Sequence, residues 1–428
     1  MKNPLRYLLA LVPFAVLAAF PGSELAAAAG GPNDGTGAYR VLDPIESGHL
    51  LLFPVIRTDG ESPAETPFIT LDEGIKSGEV EVTEAGNVRG LVRPRPRSGA
   101  QIDPGIYSSP SNSIRGDQVN TLVLVNHSKK PLLLLAGEIV TGGKQDRVIA
   151  KDRIVPPDAD PIDLSVFCIE PGRWTESSAT FGASNNAPAE SFMVQPAVRE
   201  KAMAGQDQQQ VWNSVHGVIS QMEVAAAPPS VGASSETVTV EAAGGPMPLN
   251  TTSYAKVMQN KIISAKVDEA AAPTIEVKAE VLEKLRQEHA VGVVVAVHGN
   301  LIWADLFANT DLLSRYWTKL VRSYAAESVT EAGDREAPTV ADAQRFLDSA
   351  ASGHETSEGD AGVYRYSELH GDGPHGAGID TFILESLLPK TNYDVHISKM
   401  RLRDIGNTAW RETPLPRRPG VAPFEPIR

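Results

Sequence analysis

The sequence predicts an α+β fold. A β-rich N-terminal half, similar to a sandwich of antiparallel or mixed sheets, precedes a C-terminal half that mixes helices and strands. From residue 39 to residue 181, short apolar runs alternate with Gly, Pro, Asn and Asp, which is typical of strands joined by turns. After residue 198, apolar residues recur at helical spacing in several segments. The 36 glycines and 32 prolines of the 428-residue chain also favour many turns over a long helical bundle.

Residues 1–29 have the pattern of a secretory signal peptide. Lys2 and Arg6 precede an apolar run from Tyr7 to Phe20, and an alanine-rich stretch with an A-x-A cleavage site follows at 26–28. A permanent transmembrane helix needs about 20 apolar residues, so cleavage is favoured over an uncleaved anchor. We therefore expect an exported protein, periplasmic or secreted, with no membrane attachment after cleavage.

Seven apolar runs in the β-rich half (39–224) predict strands. They lie at 49–56, 68–71, 76–83, 121–125, 132–135, 148–150 and 164–169. The runs at 121–125 and 132–135 flank a short polar turn and predict a hairpin. Cys168, the single cysteine of the chain, lies in the last run, so we expect a buried thiol rather than a nucleophile.

Helical segments begin late in this half. Residues 198–222 are helix-permissive, with a break at Gly205 and a new N-cap at Asp207. The small residues and prolines of 225–249 predict a linker or loop, and a mixed α/β half (250–402) follows. In that half we predict helices at 251–271, 276–289, 311–324 and 339–351, and strands at 291–297, 301–307, 363–369, 381–384 and 393–398.

The strongest helix signal is the segment that Asp311 is predicted to cap. Its apolar residues recur on one face, which indicates a helix packed on the core. They are Leu312, Leu313, Tyr316, Trp317, Leu320, Val321 and Tyr324. Residues 403–428 are rich in proline and predict an extended tail.

The distribution of charge points to one region. The formal net charge of −14 disfavours nucleic acid as a partner. Against this background, residues 89–153 contain eleven basic and five acidic residues. Because guanidinium groups form paired hydrogen bonds with phosphate or carboxylate oxygens, this basic stretch predicts a site for an anionic small molecule. The alternative is that the charges lie on solvated loops, and for the Arg-Pro alternation at 93–97 this alternative is favoured.

A glycine turn lies inside the basic stretch. A strand ends near Glu138, and Gly142 and Gly143 then allow backbone N–H groups to approach a ligand closely. The polar residues that follow are Lys144, Gln145, Asp146 and Arg147. The spacing is not that of a P-loop, since Lys144 comes one residue too late and Gln145 replaces the Ser or Thr. The structural alternative is a tight turn in which Glu138 forms a salt bridge with Arg147.

A second polar segment, Glu170 to Trp174, directly follows the strand of Cys168. An acid, the Arg173 guanidinium and an indole at the end of a core strand can clamp a planar or sugar-bearing ligand. The alternative is a corner in which Trp174 packs under an Arg–Glu pair.

The candidate acid–base and metal chemistry requires that Glu138 and Glu170 lie close together in the fold. If Glu138 and Glu170 meet in space, they form a general acid/base pair beside Asp146, or hold a divalent metal. No complete set of metal ligands is visible, and the two histidines of 370–375 are expected to lie in a surface turn. Serine-triad, dinucleotide-binding and zinc-protease motifs are absent from the sequence, and no motif points to a particular cofactor.

The motif segments also carry a family resemblance. The runs VNTLVLVNHSKKPLLLLAGEIVTGGKQDRVI (119–149) and VFCIEPGRW (166–174) resemble the ADP-ribosylglycohydrolase and rhodanese-phosphatase-associated protein domain, a family of unknown function. The run GVVVAVHGNLIWADLFANTDLLSRYWTKLVRSYA (292–325) is similar to the C-terminal part of that family, so the resemblance covers about residues 39–401. Its name implies a link to nucleotide or ADP-ribose ligands. It identifies no catalytic residue; the matching motif residues are Glu138, Gly142, Gly143, Lys144, Gln145, Asp146, Arg147, Glu170, Gly172, Arg173 and Trp174.

Three functions remain open at this level. The favoured one is a non-catalytic domain that binds an anionic small molecule, such as a nucleotide, an ADP-ribose-like molecule or a sugar phosphate, or a glycan. The second is a hydrolase in which Glu138 or Glu170 acts as acid/base beside Asp146. The third is a structural or interaction module of the cell envelope, in which the motifs fix turns. The sequence does not indicate an oligomeric state.

Overall fold

The computed structural model describes most of the region between the predicted signal peptide and the predicted tail. The described residues are 38–59, 62–63, 66–88, 91–97, 99–102, 120–182, 192–227, 248–275, 278–333, 335–349, 353–371 and 378–402. The predicted signal peptide (1–29), most of the predicted linker (225–249), part of the histidine loop (370–375) and the predicted tail (403–428) lie outside them.

The described part of the chain contains nineteen strands and eight α-helices, which confirms the α+β class. The strands are β1 (Tyr39–Val41), β2 (Ile45–Ser47), β3 (Leu50–Arg57), β4 (Ile69–Thr70), β5 (Val80–Glu84), β6 (Gln101–Ile102), β7 (Thr121–Asn126), β8 (Leu132–Leu134), β9 (Ile139–Gly142), β10 (Arg147–Ile149), β11 (Arg153–Val155), β12 (Ala159–Cys168), β13 (Phe181–Gly182), β14 (Ala290–Val297), β15 (Asn300–Phe307), β16 (Glu355–Asp360), β17 (Tyr364–Leu369), β18 (Ile379–Ser386) and β19 (Asp394–Arg401). The helices are α1 (Leu71–Ser77), α2 (Pro196–Glu200), α3 (Gln208–Ala226), α4 (Tyr254–Met258), α5 (Lys261–Ile275), α6 (Lys278–Gln287), α7 (Thr310–Thr330) and α8 (Val340–Asp348).

The largest sheet contains strands from both predicted halves. Its ten strands run in the order β1-β3-β14-β15-β19-β18-β17-β16-β6, with β2 beside β3. The pairs are antiparallel except for the short contact between β16 and β6. Every residue of β14, with sequence AVGVVVAV, is buried, because helices or other strands cover both of its faces. The pairing of β3 with β14 joins the N-terminal half to the C-terminal half.

Two smaller sheets complete the β structure. One has the order β13-β9-β10-β12-β7-β5, and the other has the order β11-β8-β4. The predicted hairpin between 121–125 and 132–135 is therefore wrong, since β7 and β8 belong to different sheets. The side chain of Asn126 explains the separation. Its amide donates to the carbonyls of Lys130 and Pro156, and its oxygen accepts from Ser128, so the turn is closed by side-chain hydrogen bonds rather than by a ladder.

Helix α7 packs against α5 and β14, and its predicted apolar face is buried as expected. The N-cap is Asn309 rather than the predicted Asp311, because the Asn309 side chain accepts a hydrogen bond from the Leu312 N–H.

The other predicted helices agree with the structure in part. Asp207 caps α3 as predicted. The predicted helix at 251–271 is divided into α4 and α5. Within the described residues, no helix is long and apolar enough to cross a membrane.

Helix α1 lies between β4 and β5 and includes only the inner ends of the strands predicted at 68–71 and 76–83, which are present as the shorter β4 and β5. Thr70 and Glu73 form a capping box at its start, with each side chain bonded to the other residue's backbone N–H. Gly78 ends it in a left-handed conformation with φ of 75°. The Thr-x-x-Glu spacing was the sequence signal for this helix, and it outweighs the apolar character of the flanking runs.

A buried ionic network joins the sheets around Asp305 on β15. The Arg199 guanidinium donates two hydrogen bonds to the Asp305 carboxylate, at 2.8 and 3.0 Å. The Trp303 indole donates at 3.2 Å, and the Tyr324 hydroxyl also donates. His396 Nε2 lies 3.1 Å from Asp305 Oδ1. Burial would raise the pKa of Asp305, but Arg199 and His396 outweigh it and hold that pKa well below its usual range.

The network continues through His396 to the loop between β10 and β11. His396 Nδ1 lies 2.6 Å from Asp152 Oδ2, and Asp152 Oδ1 accepts the Ala136 N–H at 2.7 Å. Burial alone would lower the pKa of His396, but the carboxylates of Asp152 and Asp305 raise it to about 9. A protonated imidazole therefore holds together two buried carboxylates, that of Asp305 on β15 and that of Asp152 in the loop between β10 and β11.

We expect Asp305→Ala to lower the free energy of unfolding by about 3–5 kcal/mol, because it leaves the fully buried Arg199 without its carboxylate partner. Urea denaturation measures this change. The control is Glu283→Ala, which removes an exposed carboxylate 4.0 Å from Arg286 and should cost less than about 0.5 kcal/mol. A cost near that of the control would contradict the central role of Asp305.

The raised pKa of His396 predicts a pH dependence of stability. Because the folded-state pKa lies above the ordinary value of 6.5, the stabilising charge is fully present below about pH 6.5 and is lost as the pH rises through about 9. The difference in unfolding free energy between the natural protein and His396→Asn should shrink by roughly 3 kcal/mol from pH 6 to pH 10. Denaturant titrations across this range measure it, and a pH-independent difference would refute it.

Candidate functional site

The glycine turn and the Glu170–Trp174 segment lie side by side, because β10 pairs antiparallel with β12. The Gln145 side-chain amide donates to the Glu170 carbonyl at 3.0 Å, and the Asp146 N–H donates to Glu170 Oε2 at 3.2 Å. Two segments separated by more than twenty residues in sequence thus form one polar cluster. We call it the motif cluster, defined by Asp146, Glu170 and Arg173.

Arg173 connects the parts of the motif cluster. Its Nη2 atom lies 2.6 Å from Glu170 Oε2 and 3.7 Å from Asp146 Oδ1, so both carboxylates contact the same nitrogen. Its Nη1 atom donates to the Gly143 carbonyl at 3.0 Å. The Ser253 hydroxyl, at the start of α4, donates to Asp146 Oδ2 at 2.8 Å. The carboxylate of Glu170 also pairs with Lys256 of α4, at 3.3 Å.

The two carboxyl groups have opposite pKa shifts. Burial raises the pKa of Asp146, and the neighbouring Glu170 carboxylate raises it further. Burial acts in the same direction on Glu170, but hydrogen bonds from Arg173 and the Asp146 N–H outweigh it and lower the pKa of Glu170. Such a split can support acid–base chemistry. Here the oxygens of both side chains accept hydrogen bonds or ion pairs from within the protein.

The backbone N–H groups of the glycine turn are also engaged within the protein. Gly142 N–H donates to Asp146 Oδ1 and Gly143 N–H donates to Ser178 Oγ, both at 3.1 Å, while Lys144 N–H donates to Glu84 Oε1 at 2.8 Å. The two glycines have φ values of 124° and 48°. A Cβ atom on Gly143 would lie 2.2 Å from the Phe181 ring, so packing against Phe181 requires glycine there.

Arg147 and Trp174 lie at the edge of the motif cluster. Arg147 is fully buried, donates from Nη1 to the Gln145 carbonyl at 2.7 Å, and lies 3.9 Å from Glu84. The structural alternative, a salt bridge between Arg147 and Glu138, is therefore wrong, since Arg147 pairs with Glu84. The Trp174 side chain is 45% exposed. The Lys144 ammonium and the Arg147 guanidinium lie over its ring, 5.4 and 5.9 Å from the centroid.

Glu138 belongs to a different cluster. Its Oε1 accepts from Lys319 Nζ at 2.6 Å and its Oε2 accepts from the Leu135 N–H at 2.8 Å. Lys319 also contacts Asp72. Among the described residues, Glu138 and Glu170 share no hydrogen-bond partner. Sequence reasoning missed Lys319 because it lies on α7, whose apolar periodicity was interpreted as core packing alone.

A cavity of about 260 Å³ lies next to the opposite end of β10. Its walls include side chains from β12, β16 and β17 and from the loop after β10. We call it the cationic cavity, because four of its lining residues are basic: Arg95, Arg97, Lys151 and Arg153. All four belong to the basic stretch of the sequence, and none belongs to the glycine turn or to Glu170–Trp174.

The cations of this cavity are only partly neutralised. Lys151 pairs with Glu358 at 2.9 Å and with Glu368 at 2.7 Å, and Arg95 lies 3.6 Å from Asp163. In the ranges that the structure describes, no carboxylate oxygen lies within 4 Å of the Arg97 or Arg153 guanidinium, although the charge of Arg153 acts to lower the pKa values of Asp163, Glu358 and Asp360. Arg153 Nη1 donates to the Asp163 carbonyl at 2.8 Å. Arg153 is buried, and its Nε has no hydrogen-bond partner among the described residues.

The backbone beside the cationic cavity is unusual. Gln206, which lines the cavity, is a non-glycine residue with φ of 45°. It directly follows a π-helical turn at Lys201–Gly205. Both features occur often at functional sites. The prediction that the charges of 93–97 lie on a solvated loop is wrong for Arg93, which forms a largely buried ion pair with Asp360.

A larger cavity of about 640 Å³ lies between α1 and the start of α7, with the Glu73–Arg315 ion pair in its wall. Over the described ranges, no three His, Cys, Asp or Glu side chains are grouped so that they could hold a metal ion. Cys168 is buried, as expected, and burial raises the pKa of its thiol.

We expect Gly143→Ala to destabilise the fold by about 2 kcal/mol or more, because the new methyl group would overlap the Phe181 ring. The matched control is Gly48→Ala, in the turn before β3. Its φ of 57° resembles the 48° of Gly143, and open space surrounds its Cβ position. Thermal or urea unfolding of both variants separates steric overlap from backbone strain. Equal losses would show that the Phe181 contact is unimportant.

A comparison with protein families identifies a match over most of the chain. Residues 38–398 match the ARG and Rhodanese-Phosphatase-superfamily-associated Protein domain, which confirms the resemblance seen in the motif segments. No curated protein and no solved structure shows a significant match to the chain. The match extends over more than four-fifths of the sequence, and the chain therefore belongs to the ARG and rhodanese-phosphatase-superfamily-associated protein domain family.

Proposed function

We propose that this protein is exported and binds an anionic small molecule in the cationic cavity. The observation that carries the proposal is that two guanidinium groups in the wall of one cavity, those of Arg97 and Arg153, have no carboxylate oxygen within 4 Å in the described part of the chain. Arg153 is buried, and a buried charge that contacts no counter-ion is costly, whereas Arg97 is exposed. A bound anion would supply that counter-ion.

The size of the cavity limits the ligand. At about 260 Å³ it lies just below the usual range for pockets that hold drug-sized molecules. It would therefore hold the phosphate or carboxylate end of a small ligand, such as a sugar phosphate, rather than a whole dinucleotide. Leu164 and Tyr364 supply apolar surface beside the cations, and the Ser165 hydroxyl can supply a further hydrogen bond.

The acidic side chains of the cavity fit this role. Burial raises the pKa of Glu358 against the opposing effect of Lys151. The raised pKa means that burial disfavours the charged form of Glu358, which is the form that repels an anion. Lys151 would then be free to turn from Glu358 toward the ligand, because its second partner, Glu368, can keep one of its hydrogen bonds.

Export is supported by the N-terminal pattern of Lys2, Arg6 and the apolar run that follows. An exported binding protein would meet phosphorylated metabolites or acidic glycans outside the cytoplasm. ADP-ribose, which the family name suggests as a ligand, is one member of this class of anionic molecules.

The test uses the natural protein and Arg97→Ala. Arg97 is exposed, so its removal should leave the fold intact. We expect inorganic phosphate, glucose 6-phosphate, AMP, ADP-ribose or sialic acid to raise the melting temperature of the natural protein. Calorimetric affinity for the responding ligand should fall about tenfold or more in Arg97→Ala, because a charge-assisted hydrogen bond is lost.

The matched control is Arg286→Ala, an exposed arginine on α6 that lies outside the lining of the cationic cavity. It should bind the ligand as the natural protein does. Absence of a melting shift with every anion would refute the proposal, as would equal affinities of Arg97→Ala and the control.

A further inference from the structure

The side chain of Trp174 is a half-exposed aromatic surface outside the cationic cavity. It is the one aromatic residue among the large hydrophobic side chains that are exposed in the described part of the chain. Its position is held by its neighbour Arg173, which donates to the carbonyls of Gly143 and Thr175 at 3.0 and 2.8 Å. The indole therefore projects from a rigid support. We call this surface the Trp174 platform.

The inner side of the platform is lined by a cation. Arg147 is fully buried, and its guanidinium lies over the Trp174 ring, 5.9 Å from the centroid. Since a buried group must lie on the protein side of a half-exposed ring, the solvent-facing area of the indole lies away from Arg147. The Lys144 ammonium, 5.4 Å from the centroid, adds a second positive charge.

These charges select the kind of ligand that can stack. Cations and the C–H groups of sugars are both attracted by the negative face of an aromatic ring. Two cations already use that attraction here, so a sugar gains less from stacking on this indole than on a neutral platform. A heteroaromatic ring stacks in an offset arrangement and does not depend on a strongly negative face.

We propose that the Trp174 platform binds a neutral heteroaromatic ring, of the class to which nucleobases belong. The ring would stack on the outer face of the indole, on the side away from Arg147. This inference does not rest on the anion proposal, because an uncharged ligand has no need of the cationic cavity.

The test uses adenosine, which contains a heteroaromatic ring but no anionic group. We expect adenosine to bind the natural protein in calorimetry and to change its tryptophan fluorescence. Trp174→Ala should weaken this binding about tenfold or more, as expected for loss of base stacking. Trp174→Phe should recover part of the affinity. Arg97→Ala should bind adenosine normally, which separates this site from the cationic cavity.

Three outcomes would overturn the inference. They are absence of adenosine binding to the natural protein, equal adenosine affinity in the natural protein and Trp174→Ala, and Trp174-dependent binding of methyl glucoside without adenosine binding. Melting temperatures of the two Trp174 variants should stay close to that of the natural protein, because the side chain is half exposed.

Discussion

The described architecture depends on the hydrogen bonds and ion pairs of the buried Asp305 carboxylate. It accepts hydrogen bonds from Arg199, Trp303 and Tyr324 and contacts His396, in a place without access to water. Burying these charges is costly, and only a nearly complete set of partners offsets that cost. The network therefore favours one arrangement of β15, β19 and α2 over alternatives with similar hydrophobic burial. It specifies the fold as much as it stabilises it.

The same network reaches the cationic cavity through Asp152. Because His396 and the Ala136 N–H fix the Asp152 carboxylate, the backbone on either side of Asp152 is fixed as well. Lys151 and Arg153 are its immediate neighbours and line the cavity. The ionic core thus positions two of the cations that the proposed ligand would contact. The motif cluster has the corresponding role for Trp174, since its donors and acceptors are used inside the protein to hold one corner of the chain.

Sequence reasoning succeeded where the signal was local. The buried face of α7, the cap at Asp207 and the paired strands β14 and β15 follow from apolar periodicity and from turn residues. It failed where side-chain hydrogen bonds decided the result, as with Asn126, whose bonds to Pro156 and Lys130 direct β8 into another sheet. The basic stretch did contain the cations of the cavity. The other residues that line the cavity, such as Glu358 and Gln206, are distant in sequence, and no local sequence pattern indicates that they lie there.

The ladder between β10 and β12 sets the relation between the two proposed sites. Arg147, under the Trp174 platform, lies opposite Cys168, and Ser165, in the wall of the cationic cavity, lies three residues earlier on β12. The backbone from Arg147 to Lys151 spans at most about 14 Å. A sugar phosphate has no heteroaromatic ring and adenosine has no anionic group, so each of these small ligands would bind at one site only. A single ligand could join them only if it carried a heteroaromatic ring and an anionic group at opposite ends of an extended molecule, and the rigid ladder would then set the length that it must have.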